Sequence, residues 1–436
     1  MPSEPIQITV ADADLRRSRV TVLFRLVLAI PHLIVLAVFG AIAVFLAPFL
    51  WLATLFSGTA PDALADYFRM LVRYSLHVYA YLYLTTAQYP PWPGTDDDYA
   101  IGVSFPPAAR QSRWGVGLRF VIALPALLLA MAFTGGGGFS WLSPGSGVAL
   151  EGIGVAATAA FLAWFACLVT GRMPQGLRDL QIYGLGYATQ AYAYLFLLTD
   201  RYPNTAPRVY PSAPMPDHPV TLSLSADDLR RSRLTTFFRL PLAMPHLIWL
   251  ALWSVVVLFA AVAAWLAALV SGHVPQSLHR FLAAYVRYAT HFTAFLYLTA
   301  NAFPGFTGAV GSYPAEATIP SRDLQSRWTV LIRGILLLPA WLIFSALSGV
   351  YLLTAVFAWW TALITGRIPR GLRDAGAFAL RYSTQAYAYG LLLTPRYPYA
   401  GPGPGTSGRD AAPSEPVPPP SYSPDPPTWV REAGTP

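Results

Sequence analysis

The chain has 436 residues, of which 55% are hydrophobic and 11% are charged, whereas soluble domains carry about 25% charged residues. Uncharged runs such as residues 26–57 and 152–170 are long enough to be membrane spans, because about 20 apolar residues cross a bilayer. The composition therefore predicts an integral membrane protein and excludes an ordinary soluble domain.

All of the basic charge is arginine, since the net charge is +8 and the sequence contains no lysine. These arginines flank apolar runs, as the positive-inside rule expects of cytoplasmic loops, so we expect no nucleic-acid partner. The single cysteine, Cys167, excludes a disulfide or a cysteine-based metal site within one chain. We therefore expect neither a metal nor another cofactor.

One spacing pattern occurs four times in the sequence. It consists of an arginine, a second arginine six positions later and a proline six positions after that. The copies are Arg19, Arg25 and Pro31; Arg113, Arg119 and Pro125; Arg233, Arg239 and Pro245; and Arg327, Arg333 and Pro339. Four copies indicate an internal repeat. We divide the chain into membrane repeats at residues 1–94, 95–204, 215–305 and 306–398, followed by a proline-rich tail, residues 399–436, whose composition predicts disorder.

Each repeat opens with a short segment that alternates enough to be a strand, at residues 5–10, 100–105, 219–224 and 315–319. Isolated strands are not stable in water. We therefore expect these four strands to pair into a small sheet on one side of the membrane.

The long apolar segment of each repeat comes next. Residues 20–56 would form a helix of about 55 Å, which exceeds the hydrocarbon core of about 30 Å. Two interpretations remain: a hairpin of two short spans, or one long helix kinked near Pro31. The glycine-rich residues 135–147 of the second repeat favour the hairpin, since arginines mark only the outer ends.

An amphipathic helix closes each repeat. In the first repeat Asp62, Asp66, Arg69, Arg73 and His77 share one face at helical spacing. Together with the tyrosine-rich ends of these helices, this pattern is typical of helices that lie at a membrane surface. The fold class is thus all-α, with four tandem repeats.

The first two repeats are copied as a unit, because Arg19 and Arg233, like Arg113 and Arg327, stand 214 residues apart. The same side-marking arginines recur in the same order in both halves. This predicts halves that run in the same direction about an axis normal to the membrane.

The repeat resembles a bacterial membrane family known as domain of unknown function 4389. The resemblance rests on Leu-Phe-Arg-Leu at residues 23–26, Leu-Phe-Ser-Gly at 55–58 and Tyr-Pro-Pro-Trp at 89–92. It extends over four copies, that is, most of the chain outside the linkers and the tail. It implies no reaction, ligand or catalytic residue.

Arginines near the membrane are the first candidates for a site, because guanidinium groups bind phosphate in a bidentate manner. The candidate lipid or anion contacts are Arg17, Arg19, Arg25, Arg113, Arg119, Arg233, Arg239, Arg327 and Arg333. The alternative is that these side chains extend to the headgroups or form surface ion pairs.

Two histidines, His32 and His246, are candidate polar groups within the membrane, since a buried histidine can relay protons. The alternative is a histidine that packs and forms hydrogen bonds. A second set of polar residues occupies equivalent positions in the four repeats, at His77, Gln190, His291 and Gln385. These side chains could meet around a central axis or face water.

For function, the sequence supports a non-enzymatic scaffold of the cell membrane that crosses it several times, with both termini in the cytoplasm. Such a scaffold would bind anionic lipids through its arginine-rich face and a protein partner through its tail. The alternative is a pore or transporter for ions or small solutes, suggested by the fourfold repetition. We expect no enzyme, because the sequence contains no nucleophile or metal-helix motif.

Overall fold

The computed structural model describes residues 6–11, 14–93, 99–107, 109–135, 154–207, 217–225, 229–320 and 324–403. Each repeat holds a four-residue strand, a five-residue lead-in helix, a long apolar helix and a 21-residue helix that we call the central helix. The tail from residue 404 onward and the glycine-rich residues 136–153 lie outside the described residues.

The elements follow the same order in every repeat. The first repeat contains β1 (Gln7–Val10), α1 (Arg19–Leu23), α2 (Arg25–Ser57) and α3 (Asp62–Leu82). The second contains β2 (Ile101–Ser104), α4 (Arg113–Gly117), α5 (Arg119–Thr134), α6 (Val155–Thr170) and α7 (Gln175–Leu195). The third contains β3 (Thr221–Leu224), α8 (Arg233–Phe237), α9 (Arg239–Ser271) and α10 (Gln276–Leu296). The fourth contains β4 (Ala315–Thr318), α11 (Arg327–Leu331), α12 (Arg333–Thr365) and α13 (Arg370–Gly390).

The hairpin that we favoured from the sequence is wrong for the first, third and fourth repeats. Their apolar segments α2, α9 and α12 are continuous helices of 33 residues each, long and apolar enough to cross a membrane. The glycines and serines near their middles do not break them, because glycine costs only about 1 kcal/mol in a helix. Ser254 and Ser348 instead donate hydrogen bonds back to the carbonyls of Leu250 and Phe344.

The second repeat does not form a hairpin either. Helix α5 begins beside the end of α7, where the Arg119 guanidinium lies 4.0 Å from the Tyr194 ring. Helix α6 ends at Thr170, five residues before α7 begins. A Cβ built on Gly154 would lie 2.0 Å from the Gly135 nitrogen. Helices α5 and α6 therefore run in the same direction, one after the other, along α7. Together they occupy the position that one continuous long helix occupies in the other repeats.

Each long helix ends at a glycine in the left-handed conformation: Gly58, Gly171, Gly272 and Gly366. A residue without a Cβ adopts this conformation at little cost, which is why glycine commonly ends helices. The chain then turns, and the central helix packs back along the long helix of its own repeat. In the first repeat Tyr67 donates to the Phe39 carbonyl at 2.6 Å.

Neighbouring repeats run antiparallel. The Trp51 indole, near the end of α2, donates to the Val116 carbonyl in the lead-in helix of the second repeat. In return Trp164, near the end of α6, donates to the Val22 carbonyl in the lead-in helix of the first repeat. Trp265 and Trp359 make the same reciprocal pair in the other half, with Val330 and Thr236.

The two halves are also antiparallel to each other, contrary to the sequence-based expectation. The start of α7 at Gly176 adjoins Tyr399, which follows α13, and the start of α13 at Gly371 adjoins Asn204, which follows α7. The Tyr183 and Phe378 rings, from the middles of the two helices, are 5.6 Å apart. A half-turn about an axis perpendicular to the helices therefore relates the halves.

The central helices do not lie at a surface as their amphipathic pattern predicts. They form the buried middle of the protein, packed in the order α3, α7, α13, α10. The Phe68 and Phe196 rings stack at 4.5 Å between the first two helices. The Thr290 and Thr384 hydroxyls meet at 3.0 Å between the last two. Alanine and glycine on several faces allow this close packing on more than one side.

The four strands pair as two separate antiparallel ribbons, β1 with β2 and β3 with β4, rather than as one sheet. Val10 lies opposite Ile101 in the first ribbon, and Leu224 lies opposite Ala315 in the second. Each ribbon lies beside the C-terminal half of a central helix. In the first repeat Tyr99, just before β2, packs on His77 of α3 at 4.4 Å between ring centroids.

The long helices and their lead-in helices form an exposed apolar surface, which we call the apolar layer. Along α2 the buried residues repeat at helical spacing from Arg25 to Thr54 and face α3. Most of the rest of the helix is exposed and apolar, from Leu26 to Phe56, and the lead-in helix adds Val20 to this surface. Monomeric soluble proteins rarely expose apolar patches of such extent.

Candidate functional site

The candidate arginines separate into a buried set and an exposed set. The second arginine of each motif begins a long helix and is 2–3% exposed; these residues are Arg25, Arg119, Arg239 and Arg333. Each guanidinium lies over an aromatic ring of the central helix in its own repeat, at 4.0–4.3 Å from the centroid. Cation–π contact in a desolvated place contributes about 2 kcal/mol, so these arginines hold the two helices together.

The buried arginines also bond to the loop that follows the central helix. Arg25 donates to the carbonyls of Tyr81 and Thr86, and Arg333 donates to those of Tyr389 and Thr394. Carbonyl oxygens satisfy buried guanidinium donors without a carboxylate. At Arg25 and Arg333 these carbonyls therefore occupy donors that a phosphate would require, whereas the buried Nε and Nη1 atoms of Arg239 have no partner among the described residues.

Arg17 is buried as well, so its sequence-based assignment as a lipid contact is wrong. It is 4% exposed and donates to the carbonyls of Leu84 and Thr85. Arg231 is equally buried at the equivalent position of the third repeat. In even repeats this position holds Gln111 or Gln325, which accepts from the buried arginine of the same repeat.

A strained leucine shapes this loop in every repeat. The backbone takes the left-handed conformation at Leu84, Leu197, Leu298 and Leu392, with φ between 58° and 66°. This conformation costs a leucine roughly 1–2 kcal/mol. It turns carbonyls toward the buried side chains, since Leu84 accepts from Arg17, and Leu197 accepts from Gln111. The repeated leucine was the only signal in the sequence, and leucine does not by itself indicate this conformation.

The exposed set consists of the first arginine of each motif: Arg19, Arg113, Arg233 and Arg327. Each begins a lead-in helix. Arg19 donates to the Val169 carbonyl and Arg233 to that of Ile364, both at 2.9 Å. These carbonyls belong to the last turn of a long helix, where cations are favoured by the helix dipole.

Large exposed apolar side chains adjoin the exposed arginines. Trp114 and Trp328, directly after Arg113 and Arg327, are 84% and 78% exposed. Tryptophan and arginine side by side on a surface are typical of the level of lipid headgroups. The four exposed arginines, together with these neighbours, form the candidate lipid-contact site.

His32 and His246 are buried and hydrogen-bonded. The Nδ1 atom of His32 lies 2.8 Å from the Tyr74 hydroxyl, and the ring stacks on Trp92. His246 repeats the arrangement with Tyr288 and Phe306. The aromatic rings around each histidine come from its own repeat, and no carboxylate contacts it among the interactions described. The Nε2 atom of each ring is buried without a hydrogen-bond partner among the described residues, so the contacts pack each histidine but supply no second polar group for a proton relay.

His77, Gln190, His291 and Gln385 lie beneath the strand or loop that follows their own central helix. His77 packs on Tyr99 and His291 stacks on Tyr313. Gln190 and Gln385 accept from the backbone nitrogens of Asn204 and Tyr399. Gln385 also donates to the Val220 carbonyl of the third repeat. The two histidines and Gln385 are buried rather than facing water.

The second ribbon covers a cluster of titratable groups. The Nε2 atom of His291 lies 3.4 Å from a carboxylate oxygen of Glu316. Burial, and next the nearby charge of Arg287, lower the pKa of His291 to about 4. Burial raises the pKa of Glu316. His291 is therefore neutral at neutral pH. Within the described part of the chain, no group of three or more His, Cys, Asp and Glu side chains could hold a metal.

The family described as Domain of unknown function (DUF4389) matches the chain four times, at residues 19–93, 149–206, 233–307 and 327–400. The chain belongs to this family. Each match begins at or near an arginine motif except the second, which begins after α5, because the inserted residues divide the apolar segment of that repeat. No curated protein and no solved structure matches the chain.

Proposed function

We propose that this DUF4389 protein is a non-enzymatic scaffold of the cell membrane that binds anionic lipids through Arg19, Arg113, Arg233 and Arg327. The observation that carries the proposal is the position of these four side chains. All are exposed, and each stands next to the exposed apolar layer. An arginine near an anionic membrane surface contributes about 1 kcal/mol to binding.

The remaining parts of the proposal rest on charge and composition. The arginine-rich face would lie toward the cytoplasm, together with both termini, as the positive-inside rule expects. The proline-rich tail would bind a protein partner, since extended proline-rich segments are common ligands of protein domains. A pore or transporter has less support, because Arg25 and His32 are enclosed by side chains and carbonyls of their own repeat.

The lipid that remains with the purified protein tests this proposal. The full chain is reconstituted in mixed phosphatidylcholine and phosphatidylglycerol vesicles, extracted in detergent, and its bound lipids are measured by mass spectrometry. We expect the protein to be enriched in phosphatidylglycerol over the vesicle ratio. Changing the four exposed arginines to glutamine should abolish the enrichment and leave the protein folded.

The matched control is Arg280→Gln, which removes an exposed charge from the central helix α10 rather than from a lead-in helix. This variant should retain the enrichment. An unchanged lipid ratio in the fourfold variant would contradict the proposal.

A further inference from the structure

The apolar layer extends too far along the helices for a simple crossing. Each 33-residue helix is about 50 Å long at 1.5 Å per residue, against a hydrocarbon core of about 30 Å. In α2 the exposed apolar side chains continue from Leu26 to Phe56 without a charged residue between them. A crossing helix would need a tilt of more than 50°, whereas helices in membranes tilt by up to about 40°, or would leave apolar side chains in water.

If the long helices crossed the membrane, the two ribbons would be surrounded by hydrocarbon instead of water. They lie beside the C-terminal halves of central helices, as Tyr99 on His77 and Phe105 beside Arg73 show. The same halves of the central helices pack on the long helices, where Tyr74 of α3 meets His32 of α2. In a crossing orientation the ribbons would lie within the hydrocarbon.

Neither ribbon is suited to hydrocarbon. The exposed strand residues are all polar: Gln7, Thr9, Ser104, Thr221, Ser223 and Thr318. A two-stranded ribbon also has two outer edges that pair with no further strand. Open sheet edges do not occur in contact with lipid, because each unsatisfied backbone group costs several kcal/mol there.

The symmetry of the chain points the same way. The half-turn that relates the halves is perpendicular to the helices, so a crossing orientation would invert the third repeat relative to the first. Both repeats carry the same exposed arginine at their start, Arg19 and Arg233. If the helices lie along the membrane, that axis can be the membrane normal, and both halves then face the bilayer in the same way.

From these observations we infer that the long helices lie along the plane of the membrane, with the apolar layer among the lipid acyl chains and both ribbons in water on one side. The occupant of the apolar surface is thus the hydrocarbon of a lipid bilayer. This inference rests on the proposed membrane function and replaces the several crossings expected from the sequence.

Depth measurements along one helix test the inference. In a Cys167→Ala background, the full chain carries a single cysteine at Val20→Cys, Phe45→Cys or Phe56→Cys on the exposed surface of the first repeat, or at Thr9→Cys on the ribbon. A fluorophore on each cysteine is quenched in phosphatidylcholine and phosphatidylglycerol vesicles by lipids with quenchers at two depths. Phe259→Cys, the equivalent of Phe45→Cys in α9, is a second variant should the first fail to fold.

We expect the three helix labels to lie at one depth and the Thr9 label to escape quenching and react with water-soluble reagents. Position 45 at the bilayer centre, with positions 20 and 56 at opposite surfaces, would overturn the inference. So would a Thr9 label shielded from water, as in a membrane-crossing oligomer that covers the ribbons. Protein that does not float with the vesicles would overturn the proposed membrane function as well, and flotation is scored separately.

Discussion

His291 is the residue whose protonation most clearly opposes the folded state. Its pKa is about 4 because burial and the Arg287 charge disfavour the imidazolium form, whereas a histidine in an unfolded chain has a pKa of about 6.5. The folded protein therefore binds fewer protons than the unfolded chain between these values. Its contribution to stability is complete above pH 6.5 and is lost as the pH falls toward 4.

The chain itself supplies the substitution that tests this effect, since even repeats carry glutamine at the equivalent position. Between pH 7 and pH 4.5 we expect His291→Gln to remove an acid destabilisation of roughly 2.5 kcal/mol, because each pH unit between the two pKa values corresponds to about 1.4 kcal/mol. Protonation of Glu316 acts in the opposite direction but is common to both proteins. Thermal unfolding in detergent at pH 7 and pH 4.5 measures the difference, and equal acid sensitivity of parent and variant would contradict the assignment.

At the same scale, the sequence could predict where the arginines fall but not which are buried. Arg25 and His32 share a helical face because they are seven residues apart, and both face α3 in the structure. Arg17 and Arg19 are two residues apart but differ in environment. Arg19 is exposed, whereas Arg17 is buried, with 4% of its surface exposed. That difference depends on the loop at Leu84 and Thr85, nearly 70 residues away, which local sequence does not reveal.

At the scale of elements, the second repeat contains an insertion rather than a different fold. Arg119 to Thr170 spans 52 residues, 19 more than each of the three continuous long helices. Helices α5 and α6 meet at Gly135 and Gly154. The glycine-rich pattern correctly indicated a break at this place. It could not indicate that the chain resumes in the same direction, because that depends on contacts with α7.

Removing residues 136–154 should therefore restore one helix of 33 residues. We expect the deletion variant to fold, with a cost of about 1 kcal/mol for a glycine within a helix. The equivalent of Gly135 in the fourth repeat, Gly349, already lies within α12. Circular dichroism and the thermal unfolding midpoint measure the outcome.

The control for this prediction removes one residue more, 136–155, which turns α6 by 100° relative to α5 and directs its buried alanines away from α7. This variant should be strongly destabilised. If the two deletion variants had the same thermal unfolding midpoint, the inference that α6 continues the direction of α5 would be refuted.

At the scale of the whole molecule, the four repeats and their long apolar segments follow from composition and periodicity. The relative direction of the repeats does not, because it depends on reciprocal contacts such as Trp51 with Val116 and Trp164 with Val22. A tryptophan recurs at the equivalent position of each repeat, but the sequence does not indicate which backbone carbonyl accepts its hydrogen bond. Because neighbouring repeats run antiparallel, the exposed arginines of a pair lie at opposite ends of its long helices.

The central claim is that the apolar layer contacts lipid acyl chains while the ribbons remain in water. Photoactivatable lipids, with the reactive group on the acyl chain, test it directly in vesicles that contain the full chain. After illumination, mass spectrometry should find lipid attached to α2, α5, α6, α9 and α12, and none on β1–β4. Lipid attached to the strands, or absent from the long helices, would contradict the account.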